Sequence, residues 1–333
     1  MAKTVKKDPV EALRDKIVEL RALSQENNID MSEAIAKLKE ELETALRKKA
    51  RTLTAWQHVK LARDPRRPYM LDYIGLLFTD FVELAGDRRF SDDKAIVGGF
   101  AKFRGENVMV IGTQKGRDTR SNLIRNFGWP GADGYRKALR LMKLADKAGV
   151  PIITFIDTPG AYPGIASEER HVGEAIAVNL REMFALRVPV IAIVIGEGGS
   201  GGALGLGVGN RILMMENAYY SVITPEGCAA ILWKDRKFAP QAADALHLTS
   251  DCLLELGVAD EVILEPAGGA QCDYELAAAA VGEAIERNLK SLHKMFIAKL
   301  IDQRYEKFRK IGVFTECAEK VAEDAGKGKS DAE

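Results

Sequence analysis

Gly196-Glu197-Gly198-Gly199-Ser200-Gly201-Gly202-Ala203-Leu204-Gly205 is the stretch that decides the fold, together with Ile156-Asp157-Thr158-Pro159-Gly160-Ala161-Tyr162-Pro163-Gly164 earlier in the chain. Each follows an apolar run, residues 188–195 and 151–155, that we predict to be a fully buried strand. Neighbouring parallel strands open a ligand crevice at their carboxyl ends, so we expect the functional site at these two loops. Glycines there let backbone N–H groups approach a ligand, and N–H groups that open a helix can hold an oxygen gaining negative charge.

The composition is that of a globular enzyme or scaffold rather than of a nucleic-acid-binding or membrane protein. The 333 residues carry 48 basic and 48 acidic side chains, so the net charge gives no reason to expect a nucleic acid or a membrane surface as partner. No apolar run approaches the ~20 residues that span a bilayer, and the first residues lack an apolar signal core. We therefore predict a cytoplasmic protein.

The cysteines and histidines give no sign of a metal site. Four cysteines lie far apart without a C-x-x-C pair, and the four histidines do not cluster with them. Tetrahedral zinc sites usually show paired ligand spacing, so we expect no metal in this chain.

The chain is predicted to have four parts. Residues 1–63 form a helical hairpin arm, because leucines recur at helical spacing on both sides of a break at residues 27–30. The proline-rich segment at residues 64–68 ends the arm, and the core extends from there to residue 270. Residues 271–314 form a helical region, and residues 315–333 a disordered tail. The leucine stripe of the arm either packs on itself or docks on a partner.

Within the core, strand pairs alternate with helices, which departs from the strict strand-helix alternation of a doubly wound sheet. The predicted strands are residues 95–103, 107–113, 151–155, 188–195, 211–215 and 218–223. The predicted helices are residues 71–84, 133–148, 168–186, 225–233 and, beyond the core, 274–308.

Nucleotide binding is one interpretation of the second loop. Gly196-x-Gly198-x-x-Gly201 matches the dinucleotide fingerprint, and Glu216 follows at the spacing expected for a ribose contact. Two observations argue against nucleotide binding. The loop lies past the middle of the chain, and another glycine loop that follows a strand is an equally good candidate for the site. Asp157-Thr158-Pro159-Gly160 is similar to a GTPase switch segment, but a phosphate-binding G-x-x-x-x-G-K-[ST] is absent, which excludes that class.

A serine hydrolase is another interpretation. Gly198-Gly199-Ser200-Gly201-Gly202 fits a nucleophile elbow, with Asp235 or Asp244 and then His247 in the chain order that such a triad needs. The surroundings of His247 are those of an ordinary helix end. A lone histidine there is more often a packed or surface residue than a catalytic base.

A third interpretation uses both loops as backbone donors to an oxyanion, and it coincides with a family resemblance that extends from residue 8 to residue 269. The chain resembles the carboxyltransferase α subunits of bacterial acetyl-CoA carboxylase. The departures are small: residues 129–133 replace a proline-rich variant, and Thr224 stands where serine is usual. The motifs that carry the resemblance are residues 114–119, 126–128, 134–142, 156–164, 196–209, 220–228 and 231–234.

The resemblance implies an α/β protein of the crotonase type, a spiral of strand-strand-helix units. It implies transfer of a carboxyl group from carboxybiotin, borne by biotin carboxyl carrier protein and loaded by biotin carboxylase, to acetyl-CoA, giving malonyl-CoA for fatty acid synthesis. The α subunit would cradle biotin, while a β subunit with a zinc ribbon binds CoA, in an α2β2 core.

Site residues follow from the same resemblance. The amides of Gly201 and Gly202 would form the oxyanion hole, and a branched side chain at Gly202 is expected to block it while leaving the fold intact. Lys115 and Arg117 would steer an anion or belong to a solvated face. The expected biotin pocket, whose glycines could instead form a structural turn, consists of Gly160, Ala161, Tyr162, Gly164, Gly198, Gly199 and Ser200.

Two alternatives remain open at this point. A stand-alone hydratase or decarboxylase of the same fold would need an acid-base carboxylate near the loops, and Glu197 and Asp157 are the candidates. A non-catalytic scaffold would need no oxyanion hole, and the Gly201-Gly202 pair argues against it.

Overall fold

The computed structural model describes residues 9–27, 30–50 and 52–313, and in that part of the chain the helices surround one eight-stranded sheet. The strands are β1 (Phe78–Glu83), β2 (Ile96–Phe103), β3 (Glu106–Thr113), β4 (Ile152–Thr158), β5 (Val190–Gly199), β6 (Arg211–Met215), β7 (Tyr219–Ser221) and β8 (Glu261–Ile263). The helices are α1 (Pro9–Asn27), α2 (Ser32–Ala50), α3 (Ala55–Ala62), α4 (Met70–Leu77), α5 (Thr119–Ile124), α6 (Ala132–Ala148), α7 (Ile165–Glu169), α8 (Val172–Phe184), α9 (Ser200–Leu204), α10 (Pro225–Trp233), α11 (Ala239–Ala245), α12 (Ser250–Glu255), α13 (Tyr274–Leu292) and α14 (Ile297–Arg309).

The sheet has the order β1-β2-β3-β4-β5-β6-β8, and β7 pairs with the end of β5. β1, β2 and β3 are antiparallel, whereas the strands from β3 onward pair in parallel. Every residue of β4 and β5 is buried, as their continuous apolar sequences predict. These central strands end at the two glycine loops, which places the loops at one edge of the core.

Helix α6 covers the sheet with the face that the sequence predicts. Ala138, Leu141, Met142 and Ala145 are fully buried, and α6 packs against α8 and the β2-β3 hairpin. Gly149, in the left-handed conformation at φ 70°, ends the helix. The strand-strand-helix order is therefore confirmed for this unit.

The sequence prediction was wrong at several element boundaries and missed one strand of the sheet. Residues 71–84 were predicted as one helix, but α4 ends at Leu77 and the chain continues as β1, which pairs with β2. Its sequence, Phe78-Thr79-Asp80-Phe81-Val82-Glu83, is rich in the aromatic and β-branched residues that favour strands. The short β8 was not predicted. The predicted helix 274–308 is divided into α13 and α14, because the chain is extended at Phe296.

The arm has its break at the predicted place, since α1 ends at Asn27 and α2 begins at Ser32, and the two helices pack on each other. A second break, which the sequence prediction missed, separates α2 from α3. There Thr54 accepts a hydrogen bond from the Gln57 amide (3.3 Å) and its own amide donates to the Gln57 side chain (2.8 Å), which closes a capping box. The predicted tail, residues 315–333, lies outside the described residues.

Candidate active site at the two glycine loops

The two glycine loops touch through their backbones. A methyl group at Gly202 would overlap the Ala161 nitrogen and lie 2.8 Å from the Gly160 Cα, and one at Gly199 would lie 2.9 Å from the Gly160 nitrogen. Real Cβ atoms do not approach backbone this closely, so these positions require glycine. The sequence-based expectation that a branched side chain at Gly202 leaves the fold intact is therefore wrong, because the space is filled by the first loop.

The turn from β5 into α9 exposes backbone donors. β5 continues through Gly199, and Ser200 starts the helix with φ at +53°, a left-handed conformation that is uncommon for a residue with a side chain. The helix therefore begins within the second glycine loop. Gly201 and Gly202 occupy its first turn, where N–H groups have no acceptor within the helix.

A cavity of about 330 Å³ lies beside this helix start. Gly201 and Ser200 form part of its wall, and the nearest atom to a methyl group built on Gly201 would be 3.9 Å away, in Ile176. The site therefore combines a backbone donor with an apolar space. The other walls are formed mostly by apolar side chains, among them Leu204, Ile212, Val222, Leu253, Val258 and Phe308.

The structure divides the predicted biotin-pocket residues among three places. Gly160 and Ala161 contact Gly202, as described above. Tyr162 instead packs over Gly164, where a methyl group would lie 2.5 Å from the Tyr162 ring, and it lines a second cavity at the start of α6. The remaining member, Gly198, lies against Tyr220 on the β7 side, where a methyl group would be 2.9 Å from the ring.

Lys115 has a different environment from the one expected. Its ammonium is buried and donates to Asp157 Oδ1 and Glu197 Oε2, both at 2.7 Å. Burial lowers the pKa of Lys115, but the two carboxylates outweigh it and raise the pKa above its ordinary value. The two carboxylates already neutralise the charge, so we no longer assign Lys115 to anion steering.

Glu197 is the centre of a buried charge network that sequence analysis missed. Its Oε1 accepts from Arg63 Nε (2.6 Å) and from the Tyr219 hydroxyl (2.8 Å), and Arg63 also binds Glu226 at 2.5 Å. Burial raises the pKa of Glu197, but the positive charges of Lys115 and Arg63 outweigh burial and lower the pKa to about 2. Because Arg63 follows α3, Lys115 follows β3 and Tyr219 lies on β7, no local sequence pattern could indicate these partners of Glu197.

Arg117 also has structural partners. It forms an ion pair with Asp72, donates to the Pro65 carbonyl at 2.8 Å and stacks 4.4 Å from the centre of the Tyr69 ring. These contacts tie the loop after β3 to the segment that enters the core. Its guanidinium is thus occupied by this chain, as the Lys115 ammonium is.

The features of a serine hydrolase are not brought together. In the described part of the chain, no hydrogen bond joins the Ser200 hydroxyl to a histidine or a carboxylate, and His247 is an exposed residue at the end of α11. Glu216, the candidate ribose contact, accepts a hydrogen bond from the Glu265 amide at 3.0 Å. Neither alternative gains support from the geometry.

The described residues contain neither a metal-binding cluster nor a membrane-spanning helix. No group of three or more histidine, cysteine or acidic side chains in residues 9–27, 30–50 and 52–313 could hold a metal ion. In the same residues, no helix has the length and the apolar sequence needed to cross a membrane.

The fold and the paired glycine loops define a crotonase-type protein like the biotin-dependent carboxyltransferases. Transcarboxylase 12S superposes with a TM-score of 0.54 at 20% identity, covering 68% of this chain and 43% of that one. The β subunit of Pseudomonas aeruginosa geranyl-CoA carboxylase gives 0.52 at 16% identity, covering 79% and 48%. This chain spans less than half the length of either solved chain, and at these identities the likeness establishes the fold alone.

The sequence relationship is closer. The family profile described as acetyl co-enzyme A carboxylase carboxyltransferase-like matches residues 5–312. The acetyl-CoA carboxylase carboxyl transferase α subunit of Geobacter metallireducens is 53% identical over 92% of this chain and 96% of its own length, and that of Bacillus velezensis is 55% identical over 91% and 94%. The chain belongs to this family of α subunits, which confirms the resemblance inferred from the motifs.

Proposed function

We propose that this chain, with a β subunit, transfers a carboxyl group from carboxybiotin on biotin carboxyl carrier protein to acetyl-CoA, giving malonyl-CoA. The observation that supports this most directly is the contact between the two glycine loops, which holds Gly202 against the first loop while its neighbour Gly201 forms part of the wall of an open cavity. The β subunit, the carrier protein and a biotin carboxylase remain predicted partners, and the cytoplasmic location remains a prediction.

The cavity beside Gly201 suits the biotin ring. Its volume of about 330 Å³ and its apolar wall match a compact bicyclic group, and the open face of Gly201 lets that group approach the backbone. When bound, carboxybiotin supplies an activated carboxyl group. The chain contributes fixed N–H donors at Gly201 and Gly202 for the ureido oxygen, and each such donor is typically worth about 3 kcal/mol of barrier lowering.

A stand-alone hydratase or decarboxylase fits the site poorly. Such an enzyme needs a carboxyl group with a pKa near neutral, but the pKa of Glu197 is lowered to about 2 and both of its oxygens are bound. Asp157 is held by Lys115 and by the Glu197 amide (2.9 Å). Both carboxylates are therefore bound by groups of this chain, which leaves neither placed to contact a substrate.

Apolar residues beside the loops support a second subunit at the site. Ile165, directly after the first loop, is 80% exposed, and Val222, next to the strand that pairs with Gly199, is 75% exposed. Exposed apolar residues that flank a site are typical of an interface. A non-catalytic scaffold explains these residues equally well, but it does not explain the close loop contact.

The two-subunit proposal predicts that the isolated chain does not decarboxylate malonyl-CoA in the presence of biocytin, because half of the active site is expected on the β subunit. Adding purified β subunit should restore the reaction, measured as acetyl-CoA release. Light scattering on the same samples reports assembly. Full activity of this chain alone would refute the proposal, and so would an assembled complex without activity.

Replacing Ser200 distinguishes backbone from side-chain catalysis. Ser200→Ala in the α/β complex should retain the parent kcat within about threefold, whereas loss of a serine nucleophile typically costs about a millionfold. Ser200→Gly is the matched control, since it removes the same hydroxyl and also relieves the positive φ. A loss above about a thousandfold in both folded variants would restore the hydrolase interpretation.

A further inference from the structure

The second cavity, which lies at the start of α6 and is called the α6 cavity, indicates a binding site beyond the oxyanion hole. It has a volume of about 300 Å³, and Tyr162 forms part of its wall. The Tyr162 amide donates to the Pro130 carbonyl at 2.8 Å, which fixes the first loop against the segment that leads into α6. Ala161, whose nitrogen contacts Gly202, is the residue before Tyr162, so neighbouring residues of the first loop contact Gly202 and line the α6 cavity.

Two buried polar atoms in the wall of the α6 cavity have neither a hydrogen-bond partner nor an ion pair. They are Asp133 Oδ1 and Ser167 Oγ. The two residues are only 4% and 3% exposed, and both line the cavity. Gly131, which precedes α6, lies beside Ser167, since a methyl group there would be 3.5 Å from the Ser167 hydroxyl oxygen. A buried polar atom without a partner is costly unless a ligand or water satisfies it.

The charges around the cavity are already balanced. Lys94 and Lys137 each bind Asp92 at 2.6 Å, and Arg170 binds Asp133 Oδ2 at 3.0 Å. Asp93 accepts hydrogen bonds from the backbone amides of Gly131 (2.6 Å) and Ala95 (2.8 Å). A charged ligand would find no free counter-ion among these groups. What remains is one carboxylate oxygen, which only accepts, and one hydroxyl, which can donate.

A secondary amide has the complementary pair of groups, an N–H donor and a carbonyl acceptor. We propose that the α6 cavity binds the amide that joins biotin to a lysine side chain of its carrier, with Asp133 accepting from the amide N–H and Ser167 donating to the amide oxygen. The inference rests on the proposed function. It makes Asp133 and Ser167 the residues that recognise the linkage between biotin and its carrier. The flexible methylene chain of biotin would extend from the oxyanion hole, along Ala161 and Tyr162, to the α6 cavity.

The test compares two biotin compounds in malonyl-CoA decarboxylation by the α/β complex. Biocytin has the amide, whereas biotin methyl ester keeps the carbonyl and lacks the N–H. Asp133→Asn preserves the oxygen that faces Arg170 and replaces the free acceptor by a donor. We expect it to raise the KM for biocytin about tenfold and the KM for the ester less than twofold, with kcat unchanged for both.

Ser167→Ala gives a different expected pattern, because both compounds present the carbonyl. It should raise the KM of both by about threefold to tenfold. Asp146→Asn is the matched control: it removes a carboxylate from the same helix that pairs with Arg187 at 3.0 Å, away from the cavity. It should leave both KM values at the parent level. Thermal melting of each complex checks folding.

The outcomes separate the two proposals. Parent complex that is inactive with both compounds would refute the proposed function, and the amide site with it. Parent activity combined with equal effects of Asp133→Asn on biocytin and ester, or with no effect on either, would overturn the amide site alone. If Asp133→Asn does not fold, Ser167→Ala becomes the test of the amide site. Unchanged KM values for both compounds in Ser167→Ala would then overturn the site.

Discussion

Lys115→Met should lower the free energy of unfolding by about 3–5 kcal/mol, because it leaves two buried carboxylates without their shared cation. The side chains of Asp157 and Glu197 are 4% and 7% exposed, and Lys115 Nζ lies 2.7 Å from both. Glu197 keeps Arg63, so the greater cost falls on Asp157. Urea unfolding at pH 7, followed by circular dichroism, measures the loss.

Lys102→Met is the matched control for this loss. Lys102 binds Asp80 at 2.8 Å, but the two side chains are 47% and 66% exposed. An exposed pair contributes at most about 1 kcal/mol, so this variant should be nearly as stable as the parent. If Lys115→Met is too unstable to purify, Lys115→Arg can be measured in its place. Because it keeps the charge, its free energy of unfolding should fall less than that of Lys115→Met. Equal stabilities of Lys115→Met and Lys102→Met would contradict the buried bridge.

The same network predicts a dependence on pH. The pKa of Glu197 is lowered from 4.5 to about 2 in the folded protein, so its contribution to stability is complete above pH 4.5 and is lost as the pH falls toward 2. In Lys115→Met, Glu197 loses the cation that lowers its pKa most and takes up a proton at higher pH. The stability difference between parent and variant should therefore shrink as the pH is lowered from 7 through 4.5. A difference that stays constant or grows would contradict this assignment.

The central strands and both glycine loops were predictable because their signals are local. Continuous apolar runs followed directly by glycine are a property of adjacent residues, and the structure places β4 and β5 at those runs. The pattern of β1 is also local, but the apolar residues of 71–84 fit a helix equally well. Only its pairing with β2 selects the strand.

The network around Glu197 was not predictable, because its members are distant in the chain. Lys115 lies 42 residues from Asp157 and 82 from Glu197, and Arg63 lies 134 residues from Glu197. A lysine beside an arginine in sequence suggests a solvated or ligand-binding face, and only the fold shows that its ammonium is buried. The division of the predicted biotin pocket was not predictable for a similar reason. Adjacent residues of one loop, such as Ala161 and Tyr162, can contact different parts of the fold.

Gly202→Val should unfold the loop region and abolish carboxyl transfer, since the new side chain would overlap the backbone of Gly160 and Ala161. Forcing atoms into a filled space costs at least about 3 kcal/mol when the neighbour is backbone that cannot rotate away. The expected signature is a lower melting temperature of the chain and loss of malonyl-CoA decarboxylation in the complex. A fall in kcat with unchanged stability would instead show that the loops are farther apart.

Gly201→Ala is the control that separates packing from chemistry, because the neighbouring glycine faces open space. A methyl group there would approach Ile176 no closer than 3.9 Å, and the backbone N–H is kept. We expect stability within about 1 kcal/mol of the parent and normal assembly, since alanine replaces glycine in a helix without strain. If Gly201→Ala were as unstable as Gly202→Val, the glycine requirement would come from the turn as a whole, and contact between the loops would not explain it. If Gly202→Val folded, assembled and kept the parent kcat, the amide at this position would not belong to the oxyanion hole.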